Sequence, residues 1–265
     1  MNDHTPPPSP LMVQVFGASD QGHHRPDNQD TIGWTEIPAA VGRPASQIAV
    51  LADGAGGHAG GAAASRRAVQ RVLTQAAKVD GTPDGAWLRN VLESANQAVY
   101  DLATEVGEAG NMGTTAVVLL CVGDRALAAH AGDSRLYMVR GGVCRQVTAD
   151  HSFVWYLMGQ GLIGQEELNT HPRHGVITRC VGAQPAVQVD LVDPPIRLEA
   201  GDRFLLCSDG LTEVLTDQDI AVVLGDQPPA QAAQALIDLA NARDTRDNVS
   251  AVVVAVEPST PPANP

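Results

Sequence analysis

The chain has 265 residues, 44% hydrophobic but only 3% aromatic, and a formal charge of −13. That length holds one large domain or two small ones, with a core built from Ala, Val and Leu. The negative charge disfavours nucleic acid and anionic membranes as partners, because both need a surplus of Lys and Arg. The four cysteines, Cys121, Cys144, Cys180 and Cys207, show no paired spacing, and all but Cys144 lie in apolar segments. They are expected to be reduced residues of a cytoplasmic protein. No basic-then-apolar leader opens the chain and no apolar run is long enough to span a bilayer, so a soluble protein is expected.

In chain order, residues 1–10 are polar and proline-rich and are expected to be disordered. Residues 13–16 alternate like a strand and lead into a polar loop over 21–30 that carries Arg25, Asn28 and Asp30. The apolar run 48–51 reads as a buried strand that ends at Asp53. Gly54, Gly56, Gly57 and Gly60 follow; they end the strand and let backbone approach a ligand closely. A helix over 61–77 aligns Ala64, Ala68, Val69, Val72 and Leu73 on one face. Thr82 is expected to cap the next helix, with Pro83 in its first turn. That helix buries Leu88, Val91, Leu92, Ala95, Val99 and Leu102.

The period then changes. Residues 114–122, 126–131, 136–140 and 143–147 read as short strands, with Gly123-Asp124 and Gly141-Gly142 at hairpin turns. Residues 150–175 break the β pattern with short helices around 155–160 and 165–168, and are expected to form a mobile insertion over a site. Strands resume at 176–180, 187–192 and 203–207; the last ends in Asp209-Gly210, as 48–51 ends in Asp53-Gly54. Thr216 caps a helix to Leu224, and Pro228-Pro229 opens another to about residue 242. Asp247-Asn248 opens a final strand ending at Glu257, and the proline-rich tail 258–265 is expected to be disordered. Hairpin-linked strands with helices in pairs indicate an α+β fold. Two stacked antiparallel sheets with a helix layer on each outer face satisfy the pattern, as one domain over 11–257.

Any one of Asp53, Asp209 and Asp247 would pass as a loop aspartate that ends a strand. Three acids at matched strand ends would be costly if buried unpaired, and a divalent metal removes that cost. Oxygen-only ligation suits Mg²⁺ or Mn²⁺ rather than zinc. Two such ions can share a water, lower its pKa and present it for in-line attack on a phosphate ester. The reaction also needs a cation that grips phosphoryl oxygens, and Arg25 is the candidate.

In order, Arg25-Pro-Asp-Asn28-Gln29-Asp30, Asp53-Gly54-Ala-Gly-Gly-His58, Gly113-Thr114-Thr115 and Gly132-Asp133-Ser134-Arg135 match one family. Asp150-His151-Ser152, Ile177-Thr-Arg179-Cys-Val-Gly182, Cys207-Ser-Asp209-Gly210-Leu211 and Asp247-Asn248 continue the match. The chain resembles the bacterial metal-dependent serine/threonine protein phosphatases, the PPM or PP2C family. The resemblance implies a four-layer αββα sandwich, two antiparallel sheets flanked by antiparallel helix pairs, with a flap at 150–175. It implies that Asp53 bridges two tightly bound Mn²⁺ or Mg²⁺ ions, that the Gly54 carbonyl binds one, and that Asp209 and Asp247 hold the other. Asp30 would act through metal-bound water, Asp133 would join Asp209 at a third, weaker ion, and Arg25 would bind substrate phosphate.

Three positions depart from the family pattern. Gln29 stands where some members have Glu, and Ala55 where others have Met or a general-acid histidine; Ala55 cannot protonate a leaving group. His58 reads better as a helix-start residue than as a catalytic one. Leaving-group protonation then falls to water or to a flap histidine, His171 or His174.

The leading reading is a cytoplasmic, monomeric phosphatase of phosphoserine and phosphothreonine in proteins, opposing a Ser/Thr kinase in signalling. A narrower reading, a phosphatase for one phosphorylated regulator such as an anti-sigma antagonist, is disfavoured because such relatives usually lack the Arg25 equivalent. A third, a catalytically dead binding module, is disfavoured by the presence of Asp53, Asp209 and Asp247.

Overall fold

The computed structural model describes residues 11–42, 44–55, 59–168 and 170–259. The sequence readings for residues 1–10, Gly56, Gly57, His58 and 260–265 lie outside that set. The chain opens with β1 (Leu11–Asp20), β2 (Asp30–Ile37) and β3 (Ser46–Ala55), followed by α1 (Ala59–Ala76) and α2 (Gly85–Glu105). Next come β4 (Gly113–Thr114), β5 (Ala116–Val122), β6 (Arg125–Ala131), β7 (Arg135–Arg140) and β8 (Val143–Gln146). The insertion holds α3 (Phe153–Gly159) and a 3₁₀ turn at Gln165–Glu167. The chain closes with β9 (Asp190–Leu191), β10 (Ile196–Arg197), β11 (Arg203–Cys207), α4 (Asp209–Thr212), α5 (Asp217–Asp226), α6 (Pro229–Ala242) and β12 (Val249–Pro258).

One sheet runs β1-β12-β11-β7-β8, and the other runs β10-β6-β5-β3-β2 with β4 and β9 attached. The strand pairs are antiparallel. Three apolar layers weld the stack. Val50, Val118, Leu120 and Ala129 face α1 and α2. Leu51, Leu119, Phe204 and Val254 fill the space between the sheets. Leu205, Ala251 and Val253 face α5 and α6 through Ile220, Leu224, Leu236 and Ile237. This is the expected αββα sandwich. Covering both faces of the central strands explains why β5 (Ala-Val-Val-Leu-Leu-Cys-Val) reads as an unbroken apolar run instead of alternating.

The hairpin turns fall where Gly123-Asp124 and Gly141-Gly142 put them; Gly141 and Gly142 have φ of +58° and +77°, the pair of positive angles that a tight two-residue turn requires. Thr216 caps α5 through its hydroxyl, and Pro229 opens α6.

Other details differ from the sequence reading. Asp84, not Thr82, caps α2, because its carboxylate accepts the Trp87 N–H at 2.8 Å, and the helix begins beyond Pro83. Residues 176–180 form no strand; within them Ile177 makes a single bridge to Ser152, and Val181, just beyond, makes another to Thr114. The strand expected over 187–192 shrinks to the edge pair of β9 against β6. Strand β2 has no counterpart in the sequence reading. Among the described residues, no helix is long and apolar enough to cross a membrane, and the four cysteines are unpaired.

Candidate metal centre

The two sheets splay at the end where β2 begins and β3 and β11 end. Antiparallel pairing sets Asp30 directly opposite Asp53. Asp53 is pinned through its backbone: its N–H donates to Thr115 Oγ1 at 3.0 Å, and its carbonyl accepts from Thr115 N at 2.8 Å and Thr114 Oγ1 at 2.8 Å. Asp209 is the first residue of α4, just past β11, and Asp247 stands two residues before the start of β12. Asp133 is buried in the link from β6 to β7.

Electrostatics shows that the five acids share one site. The Asp53 carboxyl is pushed well above the usual carboxylate range, first by burial, then by Asp30, Asp209, Asp133 and Asp247. Burial likewise lifts Asp30 to about 7, with Asp209 and Asp247 adding to it and hydroxyls of Ser250 and Ser208 opposing. Burial and then Asp209 take Asp133 to about 8. Asp209 rises through burial and Asp247. Asp53 and Asp209 keep a partly exposed edge toward the cleft, yet desolvation still leads because their carboxyl groups lie deep.

Carboxyls gathered this closely repel one another once ionised, and a cation among them removes that cost. Ser208 Oγ donates to Asp30 Oδ2 at 2.7 Å, while Asp30 Oδ1 and Asp209 Oδ1 are buried without a hydrogen-bond partner. Orphaned, inward carboxylate oxygens in an all-oxygen donor set fit a hard divalent cation. Among the described residues, no three acidic, imidazole or thiol side chains already close into a cage. Such an ion would complete its shell with backbone carbonyl and water, as Mg²⁺ habitually does.

Gly54 is tightly enclosed. A methyl group there would fall 2.2 Å from the Gly61 carbonyl oxygen and 2.8 Å from that of Gln29, so no side chain fits between β3 and α1. The Gln29 carbonyl accepts the Gly54 N–H at 3.2 Å and the Ser65 hydroxyl at 2.6 Å, so the backbone at this departing position fixes the loop whatever its side chain.

Arg25 is half-exposed at the rim, and its guanidinium is paired with the Asp247 carboxylate. Asn248 holds the loop that carries it: Oδ1 accepts the Gln29 N–H at 2.9 Å, and Nδ2 donates to the Gln21 and Asp27 carbonyls at 2.8 and 2.9 Å. The insertion forms the opposite wall of the cleft, where Ser152, Val154 and His174 face Asp133, Asp209 and Glu213. His171 instead packs against the Phe153 ring, with centroids 6.2 Å apart. Sequence reasoning passed over Ser208, Glu213 and the supporting role of Asn248. Ser208 and Asn248 each adjoin a flagged aspartate, which is the signal that could have found them.

Comparison with known proteins gives a consistent picture. The family model described as "Protein phosphatase 2C" matches residues 21–250. Protein phosphatase PhpP of Streptococcus pneumoniae is 35% identical over 250 residues, covering 92% of this chain and 98% of its own. The solved serine/threonine phosphatase of S. agalactiae is 35% identical with a TM-score of 0.84, covering 93% of this chain and 100% of the other. The catalytic domain of the serine/threonine protein phosphatase PstP, solved with two manganese ions, is 31% identical with a TM-score of 0.79, covering 93% of this chain and 99% of the other.

Proposed function

The chain belongs to the protein phosphatase 2C family, and from that premise we propose that it is a Mn²⁺- or Mg²⁺-dependent phosphatase of phosphoserine and phosphothreonine in proteins, acting in the cytoplasm as a monomer against a Ser/Thr kinase. The observation that carries this reading is the set of gathered, mutually repelling carboxyls with partnerless oxygens on Asp30 and Asp209. Asp53, the Gly54 carbonyl, Asp209 and Asp247 would hold two ions, with Asp30 acting through water and Asp133 joining Asp209 at a third. Bound there, the ions supply Lewis-acid activation of a water and offset the charge of the phosphoryl oxygens.

The rest of the work falls to the chain itself. Thr114 and Thr115 fix the Asp53 backbone, and Ser208 turns Asp30 so that its second oxygen stays free. Arg25 stands at the open rim, where its planar fork can grip phosphoryl oxygens two at a time. The leaving hydroxyl takes its proton from water or from His174, the flap imidazole that lines the cleft.

The decisive experiment measures hydrolysis of p-nitrophenyl phosphate and of a phosphothreonine peptide with and without Mn²⁺. Turnover that appears with the ion and vanishes with chelator is expected; a folded protein inert with Mn²⁺ and Mg²⁺ alike overturns the reading. Arg25→Ala is expected to raise KM about tenfold or more and to relieve inhibition by free phosphate, with Mn²⁺ binding no weaker because Arg25 no longer competes for Asp247. Arg25→Lys should recover only part of the loss, since a point charge cannot make a two-pronged contact. Equal phosphate inhibition in wild type and Arg25→Ala removes Arg25 from the site.

A further inference from the structure

Two of the matched stretches, those around His151 and Arg179, play no part in the scheme above, yet the fold brings them together behind the acidic cleft. His151 is buried, and its ring stacks on that of His130 with centroids 4.5 Å apart and planes 12° apart. Its Nδ1 accepts the backbone N–H of Gly132 at 3.0 Å, and its own N–H returns a bond to the Gly132 carbonyl at 3.0 Å. Gly132 immediately precedes Asp133. An Nδ1 that accepts leaves the proton on Nε2, which faces Asp190 Oδ2 at 3.2 Å.

Arg179 Nη1 lies 2.9 Å from that Nε2 and 2.7 Å from Asp190 Oδ1. With two donors side by side, Asp190 is the acceptor that reconciles them. The same histidine also anchors the end of the insertion, since its carbonyl accepts the Thr178 N–H at 2.8 Å. Ser152, next in the chain, bridges Ile177. One histidine thus ties the Asp133 link and the β9 edge through its ring, and the base of the insertion through its backbone.

The geometry points to His151 as a positioning residue: by accepting the Gly132 N–H it holds the Asp133 carboxylate in place for a divalent ion, and Asp190 holds His151 in the tautomer that can do so. This rests on the reading of Asp133 as a metal-site carboxylate, and the test separates the two. The variants are His151→Asn, whose amide oxygen can replace Nδ1 as acceptor, His151→Leu, which cannot accept, Asp190→Ala and Asp133→Asn.

The first readout is exchange of the Gly132 amide in metal-free protein. Exchange is expected to quicken about tenfold or more in His151→Leu and to stay near wild type in His151→Asn. The second is the Mn²⁺ concentration for half-maximal turnover of a phosphothreonine peptide. It should rise about 10- to 100-fold in His151→Leu, the usual scale for losing a partner that orients a ligand, while calorimetry finds the tight sites still filled. His151→Asn should recover most of that loss, and Asp190→Ala should move in the same direction as His151→Leu.

Equal behaviour of Leu and Asn overturns the proposal, and so does wild-type Mn²⁺ dependence in a folded His151→Leu. Should His151→Leu not fold, Asp190→Ala decides: its side chain is 41% exposed, so the fold tolerates its loss, and unchanged Gly132 exchange and Mn²⁺ dependence there overturn the proposal. Wild-type Mn²⁺ dependence in Asp133→Asn instead refutes the metal reading of Asp133.

Discussion

Asp209→Asn is expected to lower turnover by about 10²-fold or more while leaving the sandwich folded, because the substitution keeps volume and removes only charge. Asp209 opens α4, its Oδ1 is buried without a partner, and burial and the neighbouring Asp247 both push its carboxyl above the usual range. A neutral amide there cannot balance a dication. It also relieves the repulsion that Asp247 exerts on Asp209, so the metal-free variant should melt no lower than metal-free wild type. The measurements are kcat on a phosphothreonine peptide in saturating Mn²⁺ and a melting curve on the same preparation. Activity above about a tenth of wild type overturns the role given to Asp209.

Much of the site was legible because strand and turn chemistry put its acids at recognisable places. Apolar runs stopped by Asp-Gly mark Asp53 and Asp209, and Asp247-Asn248 opens the last run. What could not be read is what depends on tertiary contact. Strand β2 escaped because Gly33 interrupts it, and that glycine answers to a distant helix: a methyl group there would fall 2.8 Å from Val69 and 2.9 Å from Leu73 of α1. Ser208 and Asn248 look like ordinary loop residues until folding sets them against Asp30 and the loop over 21–29. The false strand at 176–180 has apolar residues and β-branching, but folding gives it loops for neighbours instead of a sheet edge. Arg25 was singled out as a phosphate grip, and only the folded chain reveals its pairing with Asp247.

Removing the metal should cost stability, and the cost should grow with pH. In the metal-free fold, burial holds the Asp30 carboxyl near 7 and that of Asp133 near 8, while in the unfolded chain both ionise near the ordinary aspartate value of about 4. Their raised values favour the fold fully below about pH 4, and that contribution is lost as pH rises through 7 and 8. His130 and His151 act in the opposite sense: burial lowers both, His151 to about 4, so their contribution is present above about 6.5 and lost as pH falls below it. Above pH ~6.5 the histidines complete only the second half of their titration in the unfolded chain, which opposes the slope of the acids without cancelling it. Metal-free protein is therefore expected to melt lower at pH 8 than at pH 6.5, by about 1–2 kcal/mol for one proton released over that interval. Mn²⁺ binds the ionised carboxylates and reverses the trend. At a thousandfold excess over its dissociation constant it should add about 4 kcal/mol, or about 10 °C in a chain of this size. Scanning calorimetry at both pH values, with Mn²⁺ and with chelator, reads all four quantities, and Asp133→Asn should flatten the metal-free slope. A metal-free melting temperature that stays level or rises between pH 6.5 and 8 would mean that these carboxyls ionise in the folded chain as easily as in the unfolded one, and the cost that an ion is invoked to relieve would not exist.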